Sequence, residues 1–186
     1  KELVEWDQEI NHSSDGASKE NYLCLDSDVA KALYGDEIGS DWRFKYQLEE
    51  KDYGYYYRTL KYYKQTESKD VGRTNNRMLP MIRMSEVYYI AAEAIFDTQP
   101  KEAQGYLELV KKGRGVSKTF DNVTNKSEFI DLLVNDARRE FLGEGQIFYM
   151  YKRLNRLMPA SSYYNSDILP TDENMVLPKP DSESNI

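Results

Sequence analysis

A chain of 186 residues is long enough for one domain with a core of its own. Its 32 acidic residues against 25 basic ones give a net charge of −7, which repels phosphate backbones and argues against nucleic acid as a partner. A single histidine, His12, and a single cysteine, Cys24, exclude a His-rich zinc site and an intrachain disulfide, and no apolar run reaches the ~18 residues of a membrane helix.

The first forty residues are weakly patterned. The cluster from Asn11 to Ser18 predicts a loop. Asp26, Ser27 and Asp28 offer N-caps for a short helix through Val29, Ala32 and Leu33, with Gly35 to stop it. From Asp41 to Lys64 the chain is aromatic and charged, and the alternation around Tyr57 to Lys64 predicts a strand or an extended arm. Ser68 to Arg77 reads as a polar loop.

Helical periodicity begins behind Pro80, which suits a first turn because its missing N–H costs nothing there. Ile82, Val87, Ile90, Ala91, Ala94 and Ile95 then predict an apolar stripe to about Asp97. Pro100 opens a second helix through Ala103, Leu107 and Val110 that stops near Gly113 and Gly115, with Lys111 and Lys112 suiting its C-terminal dipole. The short link predicts an αα-hairpin. Ser127 is a candidate cap for a third helix carrying Phe129, Ile130, Leu133, Val134, Ala137 and Phe141. Phe148 to Leu157 continues helically to Pro159, and a Pro-containing extended tail follows. The expected class is mainly α with long loops and little β, divided into a loop-rich aromatic part (1–79), a helical part (80–158) and a tail (159–186).

Two charged constellations could carry chemistry. Glu86 and Glu93 lie two helical turns apart, about 10.5 Å along the axis, somewhat longer than the carboxylate spacing of glycosidases. Arg83, three residues before Glu86, is its natural partner. Arg138, Arg139, Glu140 and Glu144 form the second cluster; guanidinium forks could grip a substrate carboxylate, and both clusters read more simply as ion pairs between packed helices. The glycines at 113 and 115 and at 143 and 145 lack a phosphate-loop spacing. A nucleophilic pair of Cys24 with His12 stands open beside an inert thiol. The aromatic stretch of Trp42, Tyr53, Tyr55, Tyr56 and Tyr57 looks most like recognition, because flat rings suit the C–H faces of sugars. The same residues also suit a core or a protein interface.

The order of the motifs adds to this. Asp41-Trp42-Arg43, Lys61-Tyr62, Arg83 to Glu86 with Glu93, Glu102-Ala103, Arg138-Arg139-Glu140-Phe141, Glu144-Gly145 and Val176-Leu177-Pro178 follow one another in a succession that resembles the C-terminal half of the SusD/RagB family of outer-membrane nutrient-binding lipoproteins. The resemblance covers roughly residues 41–186. It implies helical hairpins on a tetratricopeptide-like scaffold, with Arg83, Glu86, Glu93, Arg139, Glu140 and Glu144 as scaffold residues. It also implies a non-catalytic protein, lipid-anchored at the cell surface, that passes oligosaccharide, polysaccharide or peptide to a SusC-like TonB-dependent transporter and needs no metal or cofactor. Asp136-Ala137 before the Arg-Arg-Glu motif, and Gln146 to Arg153 after Glu144-Gly145, depart from the family pattern and imply a divergent branch. The family's lipidated cysteine and N-terminal helical repeats have no counterpart, so the chain, starting at Lys1, reads as a C-terminal portion that exposes helix faces. An α-helical interaction module docking a transporter, and more distantly a glycoside hydrolase using two of the glutamates, are the alternatives.

Overall fold

The computed structural model describes residues 24–51, 55–61, 81–120, 122–160 and 166–176. The expected loops at 11–18 and 68–77, Pro80, Tyr53 and the aromatic positions 62 and 63, His12, the Cys24 side chain and the motif residues 177 and 178 lie outside them. The chain divides into two compact units, Lys1–Gly143 and Glu144–Ile186. The class is mainly α, as expected: among the described residues there are seven α-helices and only three short strands.

In the first unit, β1 (Cys24–Asp26) runs straight into α1 (Ser27–Tyr34), with Asp26 at the N-cap and Gly35 at the C-cap. Gly35 holds φ at 51°, a conformation that favours glycine, so the predicted stop is where the backbone requires one. A 3-10 turn, Gly35–Glu37, leads to α2 (Trp42–Gln47), which the aromatic composition of this stretch had concealed. Its cap is Asp41, whose carboxylate accepts from the Arg43 N–H at 2.9 Å. β2 (Leu48–Lys51) and β3 (Tyr56–Thr59) complete an antiparallel sheet in the order β1-β3-β2, with Tyr57 opposite both Leu25 and Glu50. The expected strand is thus real but starts one residue earlier and ends at Thr59, and it pairs with two strands that the sequence pattern did not announce. Leu33, Tyr34 and Leu48 are buried against this sheet, joined by Phe44, whose ring lies 5.1 Å from Tyr34 and 5.0 Å from Tyr57.

The helical part follows the predicted order with three corrections. The helix expected behind Pro80 begins at Met84 instead, as α3 (Met84–Ile95), with Arg83 as an extended N-cap. Its buried face is Ser85, Tyr89 and Ala92, followed by Phe96 just past the helix; the predicted stripe of Ile82, Val87, Ile90, Ala91, Ala94 and Ile95 contributes no fully buried residue. What decides the phase is the partner surface. Phe96 stacks on Phe129 with centroids 4.3 Å apart, Tyr89 meets Phe141 edge-on, and the Tyr89 hydroxyl reaches a buried carboxylate. The second correction is the cap of the third helix, α5 (Lys126–Glu140): it is Asn125, accepting from the Glu128 N–H, in place of Ser127. The third concerns α6 below.

α4 (Pro100–Lys112) matches its prediction from Pro100 in the first turn to Gly113 at the C-cap, and packs on α3 as a hairpin. Gln104 pairs both its amide atoms with the Val123 backbone at 2.9 Å, which fastens the loop before α5. α5 buries Phe129, Ile130, Leu133, Val134 and Ala137 as expected, and also Asp136 and Glu140.

In the second unit, α6 (Gln146–Arg153) ends four residues earlier than the pattern to Leu157 suggested, with Asn155 at φ 50°. Beyond it Met158 and Ile168 form an isolated antiparallel bridge, and the tail contains a one-turn helix, α7 (Asp172–Met175).

Candidate functional site

Five charged motif residues of the first unit, Asp41, Arg43, Lys61, Arg83 and Glu140, converge on one buried network. Arg43 is fully buried. Its Nη2 donates to Asp41 at 2.7 Å and to Asp136 at 2.8 Å, and its Nε donates to Asp41 at 3.0 Å. Its Nη1 reaches Glu140 Oε2 at 3.4 Å. The Asp136 carboxylate takes a second bond from the Tyr89 hydroxyl at 2.6 Å. Glu140 is equally enclosed: Arg114 forks onto it at 2.5 and 2.9 Å, Arg83 pairs with its Oε1, and its backbone oxygen accepts from Lys61 Nζ at 2.5 Å and Arg83 Nη1 at 3.1 Å. On the flank, Glu37 pairs with Lys111 at 2.7 Å and with Arg139, whose Nε also donates to the Leu33 carbonyl at 2.8 Å.

Electrostatics follow from this enclosure. Burial pushes the Glu140 carboxyl up, but the hydrogen bonds and charge of Arg114, with those of Arg83 and Arg43, outweigh it and hold the group down at about 2. Glu37 is likewise held below its ordinary range, burial being outweighed by Lys111 and Arg139. Burial, reinforced by Asp136, drives the Tyr89 hydroxyl well above its ordinary value. A carboxylate so strongly ionised is a poor general acid, and its guanidinium partners are already bonded to protein carboxylates. The network therefore ties α2, α3, the turn after α4 and α5 together through their own charged groups.

One local pairing changes. Arg83 was the expected partner of Glu86, three residues on; its ion pair in the structure is with Glu140. As an extended N-cap, Arg83 stands outside the helix, where the three-residue helical spacing no longer places the two side chains together. Glu86 and Glu93 are both half-buried on α3, and Glu144 belongs to the second unit. Among the described residues no group of three or more His, Cys, Asp or Glu is arranged to hold a metal ion.

The aromatic candidates separate by exposure. Tyr56 is buried in β3, and Tyr57 packs on Phe44 in the core, so both serve the sheet. Tyr55 is 69% exposed at the turn before β3, and Trp42 is 51% exposed at the start of α2. Sequence reasoning missed Tyr46, 55% exposed and one turn from Trp42, so the two rings lie on one face of α2. The signal was available in the i, i+4 spacing, but only to a reader who had placed a helix over 42–47. The Trp42 backbone N–H donates to the Arg114 carbonyl at 2.8 Å, which fixes this face beside the turn after α4.

The family model of the SusD family matches residues 37–176. No curated protein and no solved structure matches the chain. The matched family is in general one of glycan-binding, non-catalytic components of nutrient uptake, associated with transporters and typically with the cell surface.

Proposed function

The chain belongs to the SusD family, and from that premise we propose that it is a cell-surface glycan-binding component that passes oligosaccharides to a SusC-like TonB-dependent transporter. In this reading the full-length protein is held at the outer membrane by a lipid anchor, and no bond in the cargo is broken. The observation that carries the binding role is the half-exposed indole of Trp42, paired on one helix face with Tyr46. Aromatic rings are normally buried for their large apolar area, so two held open on a short, firmly capped helix suit a ligand with flat apolar faces. Tyr55, and Tyr53 outside the described residues, complete the proposed set of stacking residues.

The test is affinity gel electrophoresis in gels cast with amylopectin, arabinoxylan, polygalacturonate or mannan. Retardation of the chain by one of them is expected. Trp42→Ala should weaken that binding about tenfold or more, if stacking contributes ~1–3 kcal/mol as base–aromatic contacts do. Unchanged retardation in the variant removes Trp42 from the site.

A second reading rests on a different surface. Met84, Val87 and Ile90 of α3 are exposed, which favours an α-helical module that docks a transporter or another protein. Co-expression with a SusC-like transporter that yields a stable complex, while every polysaccharide leaves mobility unchanged, would support it over glycan binding.

A further inference from the structure

The turn after α4 holds Trp42 in place through a residue without a side chain. Gly115 sits at φ +81°, and a methyl group on its Cα would stand 2.3 Å from Trp42 Nε1, 2.5 Å from Cδ1 and 2.6 Å from Cε2. Carbon atoms in contact prefer about 3.5–4.0 Å, so the five-membered ring of the indole occupies the volume that any other residue's Cβ would need. The turn is itself anchored on both sides. Arg114 accepts the Trp42 N–H on its carbonyl and grips buried Glu140 with its guanidinium, while Val116 is buried and donates to the Lys111 carbonyl at 3.1 Å.

We propose that Gly115 is a positioning residue of the glycan site: its bare Cα seats the pyrrole half of the Trp42 indole and so aims the open remainder of the ring at a sugar. This rests on the glycan-binding reading above, and it assigns affinity to a glycine that touches no sugar itself. Any β-carbon at 115 tips the indole off its seat and changes the platform without removing the aromatic ring.

The contact is read directly by a thermal-unfolding cycle of the wild-type chain, Gly115→Ala, Trp42→Ala and the double variant. The backbone strain of alanine at positive φ is present in both backgrounds, whereas the clash exists only when the indole does. Gly115→Ala is therefore expected to lower the midpoint clearly in the wild type and distinctly less beside Trp42→Ala. Acrylamide quenching in a Trp6→Phe background, which leaves Trp42 as the only indole, is expected to rise in Gly115→Ala. Equal penalties in both backgrounds, or unchanged quenching, overturn the proposal. In the gel that retards the wild type, Gly115→Ala should weaken binding at least fivefold while the chain remains folded. Wild-type affinity in Gly115→Ala together with lost affinity in Trp42→Ala overturns the positioning role and leaves the site intact. Wild-type affinity in Trp42→Ala overturns the glycan site instead, and the unfolding cycle and the quenching then judge the indole seat by themselves.

Discussion

Glu140 shows how far a residue's role can lie from its local context. In sequence it reads as one of several charges around Arg138 and Arg139; in the fold it is nearly inaccessible and is gripped by Arg43, Arg83 and Arg114. Removing one partner of a buried ion pair typically costs about 3–5 kcal/mol, because the remaining charge is stranded. Glu140→Gln should cost that order, measured by urea unfolding at neutral pH. The pH dependence has a definite sign. The folded state holds the Glu140 carboxyl at about 2, below its value in the unfolded chain, so the folded state binds fewer protons. Its contribution is fully present above about pH 4.5 and is lost as pH falls toward 2. Urea midpoints across that window should fall steeply in the wild type and less steeply in Glu140→Gln; parallel curves would show that the carboxylate is not the titrating group. A trace of this burial was legible. Phe129, Leu133, Asp136 and Glu140 recur at spacings of four, three and four, which puts both acids on the apolar face of α5.

Among the elements, those with punctuation at both ends were the readable ones. α4 has Pro100 and Gly113, α1 has Asp26 and Gly35, and both came out where capping chemistry put them. α3 was misread in phase because it carries two apolar stripes. The more apolar one, with Val87 and Ile90, faces outward, and the one with Ser85 and Tyr89 faces in, since only tertiary partners reward a tyrosine hydroxyl and the neighbouring Phe96 ring. Period alone cannot rank two such faces. A paired substitution tests the phase. Ile90→Lys should change stability by no more than about 0.5 kcal/mol, as surface changes do. Phe129→Ala, beneath the other face, should cost about 3–5 kcal/mol by loss of burial and cavity formation. Thermal unfolding of the two variants compares them, and a large loss in Ile90→Lys would reverse the assignment of the faces. Of the strands, β3 was legible in the alternation around Tyr57, whereas β1 and β2 lay beyond sequence reasoning, being three and four residues long and rich in charge, with Asp26, Glu49, Glu50 and Lys51.

For the whole molecule, the mainly α class and the SusD resemblance were both legible, the second from the order of weak motifs rather than from any one of them. What the order could not convey is that the motif residues meet. Asp41, Arg43, Arg83, Arg114, Asp136 and Glu140 end within one set of hydrogen bonds, in which Arg43 and Glu140 are bonded across 97 positions of sequence. Within that convergence Glu140 is enclosed by three guanidinium groups that hold its carboxyl at about 2.

That closure has a consequence for biosynthesis. Arg43, Arg83 and Arg114 are all translated before Asp136 and Glu140, so a growing chain carries three arginines whose distant carboxylate partners have yet to be made, although Asp41 already stands beside Arg43. Contacts of such long sequence separation are slow to form, and here their final members arrive late. A chain ending at Asn135 should accordingly show no cooperative unfolding transition by circular dichroism, although it contains four of the five helices described in the first unit complete and most of the fifth. Nascent chains of this length are the ones a holdase chaperone would have most reason to escort.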